Sequence, residues 1–163
     1  MANRTDGMAR VYGSKENLLK FVDILEGKED VPYLPRTSIN WIEMTKEEIA
    51  NNEEDEFSFA FDVDCAWSMV DCWLNYGLDE EDQLMQHITS ITKDLDLKVK
   101  AVSYEPGAYF VEYLYVDKGV VCEERFWDDE DAKKIKVNCP KEDKAFEQLY
   151  ALYENVVDEL LVL

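Results

Sequence analysis

The run Phe57-Ser58-Phe59-Ala60-Phe61-Asp62-Val63-Asp64 alternates with period two, which puts three phenylalanines and Val63 on one face and Ser58, Ala60, Asp62 and Asp64 on the other. Such a segment is a half-buried β-strand, and it demands a sheet whose apolar side is covered. Helical signals lie on both sides of it. Ser14 is an N-cap for a helix over Lys15 to Glu26, with Leu18, Leu19, Phe21, Val22 and Leu25 inward and Gly27 placed to end it in a left-handed cap. Met8 to Tyr12 reads as a strand before that helix. Pro32 and Pro35 make any strand within Val31 to Trp41 irregular or an edge. Thr45 caps a short helix, Lys46 to Asn51.

Beyond the phenylalanine strand, Trp67, Val70, Trp73 and Leu74 recur at helical spacing up to Gly77, and Asp79 opens a second helical run with Leu84, Ile88, Ile91 and Leu95 on one side. Period two returns from Leu97 through Val99 and Ala101. Glu105-Pro106-Gly107 has the residues of a type II turn, Ala108 to Val116 is the returning strand, and Asp117-Lys118-Gly119 leads into Val120 to Trp127. Three successive strands then form an antiparallel meander, with Ile135 to Val137 as a candidate fourth. Pro140 opens the longest helix, Lys141 to Leu161, with Phe146, Leu149, Tyr153, Val156 and Leu160 on its main apolar face. Tyr150, Leu152, Val157 and Leu161 widen that face, which predicts burial within the fold, with a homodimer interface as the alternative. This order predicts an α+β fold, an antiparallel sheet with helices packed on one face, and a β-α-β-β-α-β ferredoxin-like core with extensions fits it best.

Composition bounds the function. At 163 residues and 47% hydrophobic, the chain is expected to form one domain over residues 1–163. Its 4 Trp, 9 Tyr and 7 Phe exclude a disordered acidic tail. With 37 acids against 17 bases and a net charge of -20, direct electrostatic binding to nucleic acid or an anionic membrane is excluded. No apolar stretch has the length of a signal peptide or a membrane span, so a soluble cytoplasmic protein is expected.

Candidate chemistry is sparse. Asp62 and Asp64 project from one strand face at a spacing that offers two oxygens to Mg²⁺ or a carboxylate pair for acid–base work, against the simpler reading of a solvated sheet face. Cys65, Cys72, Cys122 and Cys139 form no C-x-x-C pair and no ligand pattern with His87, so reduced thiols and no zinc are expected. Cys65 and Cys72 are seven apart, with no cationic neighbour in sequence to activate a thiol. There is no glycine-rich phosphate loop. The chain is therefore read as non-enzymatic, with no catalytic residue, metal or cofactor assigned.

Three stretches together carry a family likeness: Phe57-Ser58-Phe59 through Cys65-Ala66-Trp67, then Tyr104-Glu105-Pro106-Gly107 followed by Phe110, then the hairpin at Gly119. Between residues 8 and 127 the chain resembles the YubB ferredoxin-like family, small proteins of plasmids, phages and other mobile elements. The resemblance implies a ferredoxin-like fold and a mobile-element setting, and it carries over no active site.

The acids are concentrated. Residues 43–64 hold nine acids and one base, residues 79–82 four acids, and residues 123–131 six acids and one base, which together supply seventeen of the twenty net negative charges. Self-repulsion on that scale points to a use for the field, and one use is to imitate the phosphates of DNA within the basic groove of a nucleic-acid enzyme. The expected function is an inhibitor of a basic partner, a CRISPR effector or restriction enzyme, possessing no direct contact with nucleic acid or membrane. Glu53, Glu54, Asp55, Glu56, Asp79, Glu80, Glu81, Asp82, Asp128, Asp129, Glu130 and Asp131 are the expected charges, and Tyr76 and Trp127 the expected aromatic anchors. The alternative is a structural or regulatory interaction domain, unconnected with nucleic acid, that binds through its C-terminal helix.

Overall fold

The computed structural model describes residues 3–134 and 145–162. Its centre is the strand β1 (Arg4–Ser14), paired antiparallel with β3 (Glu56–Ala66) along all 11 of its residues and with β4 (Lys98–Glu105) from Asp6 to Tyr12. A two-residue strand β2 (Thr37–Ser38) adds to the outside of β3, while β5 (Phe110–Asp117) and β6 (Val120–Asp128) extend the other side as hairpins. The sheet order is β2-β3-β1-β4-β5-β6, with every neighbour antiparallel. The chain is therefore α+β with an antiparallel meander at β4 to β6.

Cross-strand register sorts the side chains. Val11 lies opposite Phe59 and Val99, and Ala9 opposite Phe61 and Ala101, so these residues share one face. Helices α1 (Lys15–Leu25), α2 (Lys46–Ala50) and α3 (Ile88–Asp94) cover it with Leu18, Phe21, Val22, Ile49, Ile88 and Ile91. Phe21 meets Phe61 edge-on with ring centroids 5.6 Å apart. The caps follow the sequence: Ser14 Oγ accepts from the Asn17 amide, Thr45 and Glu48 close a capping box, and Gly27 takes φ +69. Gly119 (φ +91) turns β5 into β6 with its amide donating to Thr92 Oγ1, and a Cβ there would stand 2.8 Å from Lys93 Cβ.

The expectation of helices on one face is corrected. Helix α5 (Ala145–Val162) packs on the opposite face, where Leu149 and Leu160 bury Val102, Tyr104 and Val111. The reason lies in β4, where Ala101 faces the first core and Val102 the second. The first four strands lie in the order β2-β3-β1-β4, in which two β-α-β units interleave. Both β3 and β4 run antiparallel to β1 between them, which makes one split β-α-β unit, and β1 and β2 flank β3 in the same way, which makes a second.

Two local expectations also change. Residues 79–87 form turns rather than helix, because Asp79 Oδ1 accepts from the Glu81 amide and Asp82 Oδ1 from the Leu84 amide, while Tyr33 pairs through its backbone with Leu84 and Gln86. At the β4–β5 turn the left-handed residue is Tyr109 (φ +57), not Gly107. The candidate strand at Ile135 to Val137 and the start of the last helix, Lys141 to Lys144, lie outside the described residues.

Each core is expected to carry stability. Phe59→Ala should lower the unfolding free energy by about 3–5 kcal/mol and Leu149→Ala by about 2–5 kcal/mol in urea titrations. A neutral Leu149→Ala would show that α5 contributes no core.

Candidate functional site

At the end of the sheet where β3 and β4 finish, the chain leaves Ala66 through Trp67 at φ +71, a left-handed conformation that is strained for a bulky residue. Hydrogen bonds on either side hold it there: the Trp67 amide donates to Asn3 O at 2.8 Å and the Ala66 amide to Arg36 O at 3.1 Å. The indole is 58% exposed, so no core contact explains its placement. The chain then winds into a π-helical turn, Asp71–Asn75, an uncommon geometry that concentrates at functional sites.

Glu112 of β5 anchors the start of that turn. Ser68 Oγ donates to its Oε1 at 2.5 Å, the Val70 amide donates to its Oε2 at 3.3 Å, and Ser103 Oγ stands 3.5 Å from Oε2. The carboxylate is buried, and burial raises its pKa above the ordinary glutamate value against the opposing hydrogen bonds from Ser68 and Val70. Glu112 and Ser68 form part of the wall of a cleft of about 270 Å³, which Trp67, Phe110 and Phe126 enclose and Asp71 and Glu105 make acidic. Phe110 and Phe126 stack at 5.3 Å, and Phe126 is 58% exposed.

Behind Trp67 a second recess is lined by Arg36, Cys72, Asn75 and Tyr76, with the Arg36 guanidinium 5.9 Å from the centre of the Tyr76 ring. Cys72 Sγ donates to Ala66 O at 3.0 Å. A hydrogen bond from Cys65 lowers the Cys72 thiol pKa, with the charge of Arg36 helping, while that hydrogen bond and burial raise the thiol of Cys65. Arg36 is thus the cationic neighbour that the local sequence around Cys72 lacks.

The expected site residues divide between the two ends of the sheet. Glu53, Glu54, Asp55 and Glu56 are exposed where β3 begins. Asp128 ends β6 opposite Phe110, at the cleft. Through the register, Glu56 is level with Ser14 of β1 and Asp128 with Thr5, which separates them by about 30 Å along the strands and about 19 Å across the sheet. These two runs therefore lie at opposite corners of the sheet. Asp79, Glu80 and Glu81 are exposed, and Asp82 is lowered by a hydrogen bond from the Tyr33 hydroxyl. Asp128 and Asp131 accept each other's amides at the start of α4 (Asp129–Lys134), so they act as a cap, with Asp129 and the exposed Glu130 following. Trp127, an expected anchor, is half-buried against the α5 core, and by alternation its neighbour Phe126 is the exposed ring. Tyr76 is half-buried.

Asp62 and Asp64 do share a face, with structural partners. Asp62 Oδ1 accepts the amides of Asn40 and Trp41 at 2.7 Å, and Asp64 Oδ1 accepts from Arg4 Nε at 2.6 Å. Among the described residues no three His, Cys, Asp or Glu side chains cluster as metal ligands. Sequence reasoning missed Glu112, Ser68 and Phe126. The signal for Glu112 was an acid within a run of strand apolars, Phe110 to Val116, on the face that Leu114 and Val116 bury. Comparison with family models, with curated proteins and with solved structures finds no match to this chain.

Two outcomes test the cleft. Because the folded-state pKa of Glu112 is raised, its contribution to stability is fully present below the unfolded value and is lost as pH rises through the folded one. The wild-type advantage over Glu112→Gln should therefore shrink from pH 4 to pH 8 in denaturation curves; a constant difference would deny the shift. Trp67→Gly removes the strain together with an exposed ring, and should change stability by less than about 1 kcal/mol.

Proposed function

We propose that the protein is a non-enzymatic acidic binding protein that docks on, and blocks, a basic nucleic-acid-handling protein, a CRISPR effector or restriction enzyme being the expected kind. The supporting observation is the arrangement at the Trp67 end of the sheet. Trp67 and Phe126 are exposed around an acidic cleft, with Asp79, Glu80 and Glu81 three to five residues beyond Tyr76 and Asp128 opposite Phe110. None of Asp79, Glu80 and Glu81 forms an ion pair with a described lysine or arginine.

That combination suits arginine and lysine side chains, which stack on aromatic faces and pair with carboxylates. Exposed aromatics also supply the anchors that carry most interface energy, while surrounding charge speeds encounter. The docking end uses two of the three acidic runs and leaves Glu53 to Glu56 at the far end of the sheet. Mobile-element origin enters through the sequence resemblance and sets the expected partner.

The test is inhibition of DNA cleavage by a panel of purified CRISPR effectors and restriction enzymes, with two variants of equal charge change. Glu80→Lys/Glu81→Lys/Glu130→Lys should weaken inhibition by about 100-fold, whereas Glu53→Lys/Glu54→Lys/Asp55→Lys should weaken it by no more than about threefold. Equal losses, or no inhibition of any enzyme by the wild type, would overturn the proposal.

A further inference from the structure

The sheet face that carries α5 is apolar only in part. Toward the other end of β1 it opens into a groove of about 270 Å³ lined by Arg10, Tyr12, Ser58, Lys98, Lys100 and Tyr115. Among the described residues, three cations and no carboxylate line it, in a chain with 37 acids against 17 bases. Register makes the cations neighbours: Arg10 lies directly opposite Lys100, and Lys98 directly opposite Tyr12. Like charges at opposed cross-strand positions repel, and here the adjoining strand β3 contributes Ser58 rather than an acid.

Each cation is held in place. Arg10 Nη1 donates to Ser58 Oγ at 2.9 Å and Nε to Leu160 O at 2.6 Å, which also binds the last turn of α5 to the sheet. Lys98 Nζ stands 5.8 Å from the centre of the Tyr12 ring, and Lys100 Nζ 5.1 Å from that of Tyr115. Carboxylates also reach the groove's residues: Glu43 and Asp117 come within 3.9 Å of Arg10 Nη2 and Lys98 Nζ, and Glu56 accepts the Tyr12 hydroxyl at 3.1 Å. Lys100 forms no ion pair with a described acid.

We propose that this groove binds a small free phosphate ester, its oxyanion held between Arg10, Lys98 and Lys100 and its organic part lying against Tyr12 and Tyr115. Preorganised guanidinium and ammonium donors form the strong, short hydrogen bonds that phosphate oxygens accept. Net charge selects the size of the ligand: a domain at -20 repels an extended polyanion such as DNA, whereas one phosphate group fits within a groove whose described lining holds three cations. This site is separate from the Trp67 cleft and does not depend on the partner proposed above.

Calorimetric titration with adenosine monophosphate, inorganic phosphate and a single-stranded oligonucleotide tests it. Saturable binding of the monophosphate below about 10 mM is expected. The Lys98→Gln/Lys100→Gln variant should weaken that binding by about tenfold or more. In phosphate-free buffer the variant should be at least as stable as wild type, because a repulsion has been removed. Phosphate should raise the melting temperature of the wild type and leave that of the variant unchanged. No saturable binding, equal binding by the variant, or binding of the oligonucleotide alone would each overturn the proposal.

Discussion

The structure depends on burying both faces of the central strands. β1 lies between β3 and β4, and β4 places Ala101 in one core and Val102 in the other, so a single helical layer would leave apolar surface in water. Helix α5 answers that constraint. Its 18 residues span about 27 Å, enough to cross the sheet, and its last turn meets Arg10, where the apolar surface ends. The second face is thus divided into an apolar half under the helix and a cationic half beyond it, and one side chain marks the boundary.

That division explains what could be read from the sequence. Ser14, Thr45 and Gly27 announce helix ends through local chemistry, and the phenylalanine strand announces its buried face through a period of two. The second core was illegible because its strand positions change character along one face: Lys98 and Lys100 precede Val102 and Tyr104 at the same parity. A period-two reading of Leu97, Val99 and Ala101 makes that face polar, and the partner that buries its far half is more than forty residues away in α5. The site was illegible for the same reason. Trp67 fits a helical spacing with Val70 and Trp73, yet its backbone turns left-handed and leads the ring out of the core.

The placement of the acids follows from self-repulsion. A net charge of -20 on one sheet costs least when the runs are far apart, and Glu56 and Asp128 sit diagonally across it. Their separation of about 35 Å exceeds the physiological Debye length of about 8 Å several times over. At that ionic strength the two ends act as independent charges, so a partner bound at the Trp67 end gains little direct attraction from Glu53 to Glu56. In the docking proposed for that end, the carboxylates near Trp67 act at contact range, together with the exposed rings.

Glu112 joins the core to that end. Its carboxylate accepts the Val70 amide and the Ser68 hydroxyl, which are the first groups of the segment that winds into the π-helical turn, and a negative charge is favoured at such a helix start. Burial opposes the same charge. The two effects act on one residue whose partners immediately follow Trp67, so protonation of Glu112 removes an acceptor from the segment that sets the ring. Trp67 is therefore positioned by a balance inside the sheet, although its own side chain lies in solvent. A strained exposed aromatic on a buried carboxylate is an arrangement that stability alone does not favour, and it is the physical ground for placing function at this end of the sheet.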